Sequence, residues 1–215
     1  MTSLPLSLSE FTDAILDLHK IGPGRRGAVQ ARIKDFQRRG FPAGLNTGKG
    51  RRAEYGPEQI FKLVMAFKML ELGFAPERIV GFVEQVWTDC EPPLAYLLAR
   101  PQNSPPDKDS HPLLILFPDG LGTLRQGETN PVYVLEMLSL FASENKFDEL
   151  GYPEFALIDL HELAVSTTHA LERVLGNDAE PAKEFAFWGE ETLKNGEDTS
   201  RNLTTEASNG SDPKA

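Results

Sequence analysis

The sequence predicts an α+β fold: a mainly helical amino-terminal unit, a small α/β unit after it, and a polar tail. Three observations predict it. Apolar residues recur at helical spacing in four stretches of the first 88 residues. Between residues 112 and 160 the pattern changes to short, compact apolar runs bounded by turn residues. Beyond Gly189 apolar residues almost vanish. Spacing of three to four marks a helix face, whereas short dense runs mark buried strands.

The first amphipathic stretch opens at Ser9, carries Phe11, Ile15 and Leu18 on one face, and stops at Ile21-Gly22-Pro23-Gly24. A second helix is expected over about residues 26–39. Its Val29, Ile33 and Phe36 fall at i, i+4 and i+7 and so point into a core. Gln30, Lys34, Gln37 and Arg38 are then left mostly outward. Gly40-Phe41-Pro42 ends this helix. Gly44, Gly48 and Gly50, set among Lys49, Arg51 and Arg52, read as a flexible basic hairpin reaching Tyr55. Pro57 and Pro76 open the third and fourth helices, at positions where a missing amide hydrogen costs nothing. The third is lined by Ile60, Leu63, Val64, Phe67 and Leu70, the fourth by Ile79, Phe82, Val83 and Val86.

Residues 1–88 thus form one expected domain. Pro92-Pro93 and Ser104-Pro105-Pro106 mark residues 89–111 as a linker. A second, α+β domain is expected over residues 112–188. Residues 113–117 read as a strand, Pro118-Asp119-Gly120 as a turn, and residues 121–125 as a returning strand. Residues 133–141 fit strand or helix, residues 155–160 a strand, and residues 161–175 a helix. The tail, residues 189–215, has too little apolar surface to offset its ordering entropy and is expected to be disordered.

With 215 residues, 40% of them hydrophobic, the chain can bury a core. Its one cysteine, Cys90, excludes an internal disulfide and a Cys-rich zinc site. No run of about 18 apolar residues is present, so no spanning helix and no membrane partner is expected. The start of the chain lacks the basic flank and apolar block of a signal peptide, and a cytoplasmic, nucleoid-associated location is expected.

The formal charge of -10 argues against a polyanion partner until its distribution is considered. Residues 20–52 hold ten basic side chains (Lys20, Arg25, Arg26, Arg32, Lys34, Arg38, Arg39, Lys49, Arg51 and Arg52) against one acid, Asp35. Like charges this dense repel, and a local anion partner accounts for them better than a solvated face does.

Other motifs lead nowhere. Gly44-Leu45-Asn46-Thr47-Gly48-Lys49-Gly50 has one residue too few between its first glycines for a phosphate loop, and glycine where magnesium needs a hydroxyl. His161-Glu162-Leu163-Ala164-Val165 has valine in place of the second histidine of a zinc-protease helix. Cys90 lies beside Asp89 and Glu91, which oppose a thiolate. No catalytic residue, metal ligand or cofactor is expected, and the chain is not expected to be an enzyme.

The order helix, tight turn, basic helix, basic hairpin and two further helices describes a helix-turn-helix whose second helix enters the major groove. Residues 9–87 resemble the MerR-family winged helix. Ile33-Lys34-Asp35-Phe36-Gln37-Arg38-Arg39-Gly40-Phe41 is similar to the end of that family's recognition helix, commonly Leu-Arg-Tyr-Tyr-Glu-x-x-Gly-Leu. Gly50-Arg51-Arg52-Ala53-Glu54-Tyr55 is similar to the wing, and Leu72-Gly73-Phe74-Ala75-Pro76-Glu77-Arg78-Ile79 to the family's Leu-Gly-Phe-Ser-Leu-Glu-Glu-Ile. The resemblance implies a transcriptional regulator that binds double-stranded DNA as a homodimer, with Lys34, Arg38 and Arg52 as DNA contacts. Arg25, Arg26, Gln30, Arg32, Arg39, Lys49 and Arg51 complete the expected interface. Asp35 stands where the family has a tyrosine. The family's long dimerising helix is not expected, because Cys90-Glu91-Pro92-Pro93 interrupts the chain. Dimer contacts, or a small-molecule or protein effector, fall instead to residues 112–188. Excisionase-like accessory factors share the same winged helix and provide the alternative role.

Overall fold

A computed structural model of the chain describes residues 4–45, 52–100, 111–116, 133–138, 156–176 and 179–209. Four helices come first: α1 (Leu8–Leu18), α2 (Arg26–Arg38), α3 (Pro57–Glu71) and α4 (Pro76–Ala99). Three strands follow, β1 (His111–Leu116), β2 (Tyr133–Leu138) and β3 (Ala156–Asp159), then α5 (Leu160–Leu175) and α6 (Pro181–Asn209). The class is α+β. The sheet is antiparallel in the order β2-β1-β3, with Leu114 opposite Leu135 on one side and Ile158 on the other. Residues 133–138, which fitted either state, are a strand. The returning strand expected at 121–125 lies outside the described residues.

Leu113, Leu114, Ile115 and Leu116 are all buried, as a central strand covered on both faces requires. Leu114, Leu116 and Ile158 join Leu163 and Leu171 of α5 in the same buried cluster as Phe11, Phe36, Phe61 and Phe67 of the first helices. The core is therefore continuous from the first expected domain into the second. α5 packs on α1, α3 and α4. Its start is capped by Asp159, whose Oδ1 accepts from the amides of His161 (2.8 Å) and Glu162 (3.1 Å).

Two expectations are corrected. The linker expected at 89–111 is helical as far as Ala99, through Pro92 and Pro93. Interior prolines strip the helix of two hydrogen bonds. The carbonyls released belong to Thr88 and Asp89, which are exposed, so water can reach them. Cys90, Leu94 and Ala95 meanwhile hold the opposite face in the core. The tail expected to be disordered is helical to Asn209. Its first turns carry Phe185, fully buried with its ring centroid 4.8 Å from that of Phe61, and Trp188 at 6.1 Å from the same ring. At Gly189 α6 meets α4 backbone to backbone, beside Ala95 and Ala99. A packed start nucleates the helix, and each later residue adds one bond for each residue fixed.

α1, α2 and α3 end in one motif. The second amide past each cap bonds back five residues, Ile21 to Leu16 (2.9 Å), Phe41 to Phe36 (3.0 Å) and Phe74 to Met69 (3.1 Å). This requires a left-handed residue before it. Gly40 (φ 78°) and Gly73 (φ 85°) supply it for α2 and α3, but Lys20 (φ 53°) does so for α1. A side chain there costs about 1–2 kcal/mol.

His19, the last residue of α1's cap, is tied to α3. Its Nδ1 lies 2.7 Å from Glu71 Oε1, its side chain is 2% exposed, and its ring sits 5.7 Å from Phe67. Nε2 is buried without a hydrogen-bond partner among the described residues. Burial pushes His19 below its ordinary range against the pull of Glu71, with Lys68 adding to the depression. Partial burial would raise Glu71, and hydrogen bonds and charge from His19 and Lys68 outweigh it, leaving it lowered. Neutral His19 thus donates from Nδ1 to an ionised Glu71. A depressed folded pKa means the unfolded chain takes up the proton first. Stability is then complete above about pH 6.5 and declines as pH falls below it, by at most about 1.4 kcal/mol per unit. Urea unfolding at pH 7.5, 6.5 and 5.5 should show this decline, and His19→Gln should flatten it. A wild-type profile flat over that range would contradict a buried neutral histidine.

Candidate nucleic-acid interface

The geometry begins with how α1 fixes α2. α1 starts with a reciprocal cap, Ser7 Oγ accepting from the Glu10 amide (3.3 Å) and Glu10 Oε2 from the Ser7 amide (2.8 Å). After Lys20 the chain makes a single tight turn, Pro23–Arg25, and enters α2. Arg26 grips α1 with both arms of its guanidinium: Nε to Asp13 Oδ1 at 2.9 Å, and one Nη to Asp13 Oδ2 at 2.8 Å and to Ser9 Oγ at 2.9 Å. Val29, Ile33 and Phe36 lock the inner face, as their spacing predicts.

The far end of α2 is held likewise. Asp35 accepts from Arg38 (3.0 Å) and Arg39 (3.2 Å), and Arg39 also reaches Glu77 in the first turn of α4 (2.8 Å). The hydrogen bond from Arg39, then its charge and that of Arg38, holds Asp35 below the ordinary carboxylate range. Gln37 donates to Tyr55 Oη at 2.6 Å. Tyr55 is fully buried, stacks on Phe11 at 4.9 Å, and exchanges two 3.0 Å backbone bonds with Leu6. Burial raises its phenol to about 12, so it stays protonated.

Lys62 anchors the chain that leaves α2. Its side chain is 5% exposed, with Nζ 2.8 Å from both Glu58 and Glu84 and 5.3 Å from the Trp87 ring centre. The other oxygen of Glu84 accepts from the Ala43 amide at 3.3 Å. Burial would lower Lys62, and the two carboxylates outweigh it, so its charge is retained. The start and the end of the basic loop, at Ala43 and Tyr55, are both fixed to the core.

The ten expected contacts divide. Arg25, Arg32, Lys34, Arg38 and Arg52 are exposed. Lys34 has no ion pair among the described residues, Arg32 reaches Asp35 only at 4.0 Å, and Arg38, 75% exposed, shares Asp35. Gln30 is half-buried on the flank of α2. Arg26, half-buried, and Arg39, also exposed, are engaged by Asp13, Asp35 and Glu77, so they position α2. Lys49 and Arg51 fall outside the described residues, and so do residues 46–51 of the hairpin expected over residues 45–55. Of that hairpin's end, residues 52–54 form no strand, and Tyr55 makes an isolated bridge to Leu6.

Sequence reasoning missed a feature of the same face. Gly27, Ala28 and Ala31 are exposed, and the region around Gly27 is open, with nothing within 4 Å of where a Cβ would stand. Opposite the Val29/Ile33/Phe36 stripe, α2 therefore presents small residues first and then Lys34 and Arg38. The signal was available as glycine and alanine at helical spacing on the polar face. Small residues let a helix backbone come close to whatever it docks on.

Elsewhere, Cys90 is buried, and burial with the nearby Asp89 pushes its thiol up to about 12. Among the described residues no group of three His, Cys, Asp or Glu side chains could hold a metal ion, and no helix is long and apolar enough to cross a membrane. Compared with protein-family models the chain matches none, and no curated protein is similar to it.

Proposed function

We propose that this chain is a sequence-specific regulator that binds double-stranded DNA through a winged helix-turn-helix. α2 enters the major groove, and the loop ending at Arg52 contacts the flanking backbone. One observation carries the reading: a single exposed face of α2 offers Gly27, Ala28 and Ala31 toward its start and Lys34 and Arg38 toward its end. Recognition helices approach base edges with their first turns, where bulk would hold them off. Lysine and arginine further along can reach bases or phosphates. Arg25, Arg32 and Arg52 flank this face as backbone contacts.

A homodimer on a pseudo-palindromic site is part of this proposal, with the protein in the nucleoid. α4 is long, as in the family this region resembles, but α6 of the same chain covers it at Ala95 and Ala99. The dimer contact would then come from another surface. The acidic remainder of the chain would suppress loose association with DNA and leave specificity to the placed cations.

Titration of labelled duplex at several salt concentrations tests this. Five phosphate contacts per protomer give a log–log slope of about -9 for the dimer. Binding that ignores salt would rule out the interface. Salt-dependent binding without sequence preference would favour the accessory-factor role.

A further inference from the structure

A cleft of 540 Å³ lies where the ends of α1 and α3 face β3 and α5. Its volume is that of a small-molecule site. Leu72 and Leu157, from opposite walls, line it while 42% and 38% exposed, which with Tyr96 and Phe187 makes them the most open large apolar side chains among the described residues. Exposed apolar area of this kind inside a concavity favours an apolar occupant.

The polar lining sorts by what is already engaged. Lys68 pairs with Glu71 (3.4 Å), Glu71 with His19, Arg173 with Asp17 (3.0 Å), and Asp159 caps α5. Lys20, Glu162 and His169 line the same cleft, and their side chains make no hydrogen bond or close ion pair among the described residues; the charge of Lys20 acts on Asp17 only at longer range. Lys20 and Glu162 are of opposite charge, yet they do not pair with each other. Lys20 moreover occupies the left-handed position that glycine fills at the two sister helix ends. Glycine would relieve the strain there. A strained residue kept at the rim of a cleft points to a use for its side chain.

We propose that this cleft binds a small zwitterion of amino-acid type with an apolar side chain. Its carboxylate meets Lys20, its ammonium meets Glu162, and its apolar body lies on Leu72 and Leu157. Such a ligand supplies both missing charges and covers both leucines at once. A singly charged apolar molecule would engage only one of these two exposed side chains and leave the other to water. The site stands apart from the DNA-binding reading, since it shares no residue with the exposed face of α2.

Calorimetric titration of the full chain tests it with five probes: L-leucine, L-leucyl-L-leucine, 4-methylpentanoate, 3-methylbutylamine and glycine. Saturable binding of one of the two leucine compounds, at least tenfold tighter than the acid, the amine or glycine, is expected. Free amino acid and peptide are told apart by which of the two binds. Lys20→Gln and Glu162→Gln should each weaken that binding at least tenfold while circular dichroism stays unchanged. No binding of either leucine compound up to about 10 mM, equal binding of a singly charged probe, or full affinity in both variants would overturn the proposal.

Discussion

Gly189→Ala is expected to destabilise the protein by about 2 kcal/mol, although alanine is the better helix former by about 1 kcal/mol. A Cβ at Gly189 would stand 2.5 Å from the Ala95 carbonyl oxygen, 3.1 Å from the Ala99 amide nitrogen and 3.3 Å from the Ala95 carbonyl carbon. All three are backbone atoms of α4, and no rotamer change can withdraw them. The helices must separate, and Phe185 and Trp188 lose contact with Phe61 as they do. Gly27→Ala is the matched comparison. It makes the same chemical change in a helix, but with nothing within 4 Å, so only the propensity gain of about 0.5–1 kcal/mol remains. Urea unfolding of the two variants should move in opposite directions. A Gly189→Ala protein as stable as the wild type would mean that α4 and α6 do not meet there.

That contact also marks where the sequence stopped being legible. Apolar spacing located α1 to α3, α5, β1 and β3 to within a few residues, because each buries its own stripe or run, and left the segment of β2 between strand and helix. Gly189 read as an ending, since a glycine with polar sequence after it usually is one. Here its missing side chain is the contact surface, which only a partner helix can reveal. Pro92 and Pro93 read as a linker for a similar reason. Their local cost is fixed by chemistry, whereas the burial of Cys90, Leu94 and Ala95 that offsets it is tertiary.

The candidate interface was legible in composition and less so in its division of labour. Counting charges within residues 20–52 finds a single acid, and it cannot see Asp13 and Glu77, which arrive from α1 and α4 to occupy Arg26 and Arg39. Nor can it see that Tyr55 and Lys62 fix the ends of the basic loop. What remains exposed is a smaller set of cations than the sequence offered, and these have few internal carboxylates to satisfy them.

The combined change Lys34→Glu and Arg38→Glu should therefore lower DNA affinity by at least a hundredfold, with the fold retained. Each substitution removes one phosphate or base partner and places a like charge against the polyanion, so the salt slope should fall by about two per protomer. Both side chains are exposed, and surface changes without buried partners usually alter stability by under about 0.5 kcal/mol. Arg26→Ala provides the contrast. That guanidinium is already spent on Asp13 and Ser9, so its removal should lower the melting temperature and loosen α2, while the salt slope of whatever binding survives stays near the wild-type value. Melting curves and salt titrations on the same preparations separate the two roles. If Arg26→Ala cut the slope and the Lys34/Arg38 pair did not, the surface that meets the phosphates would lie elsewhere, because a cation that contacts DNA must release counterions when it does so.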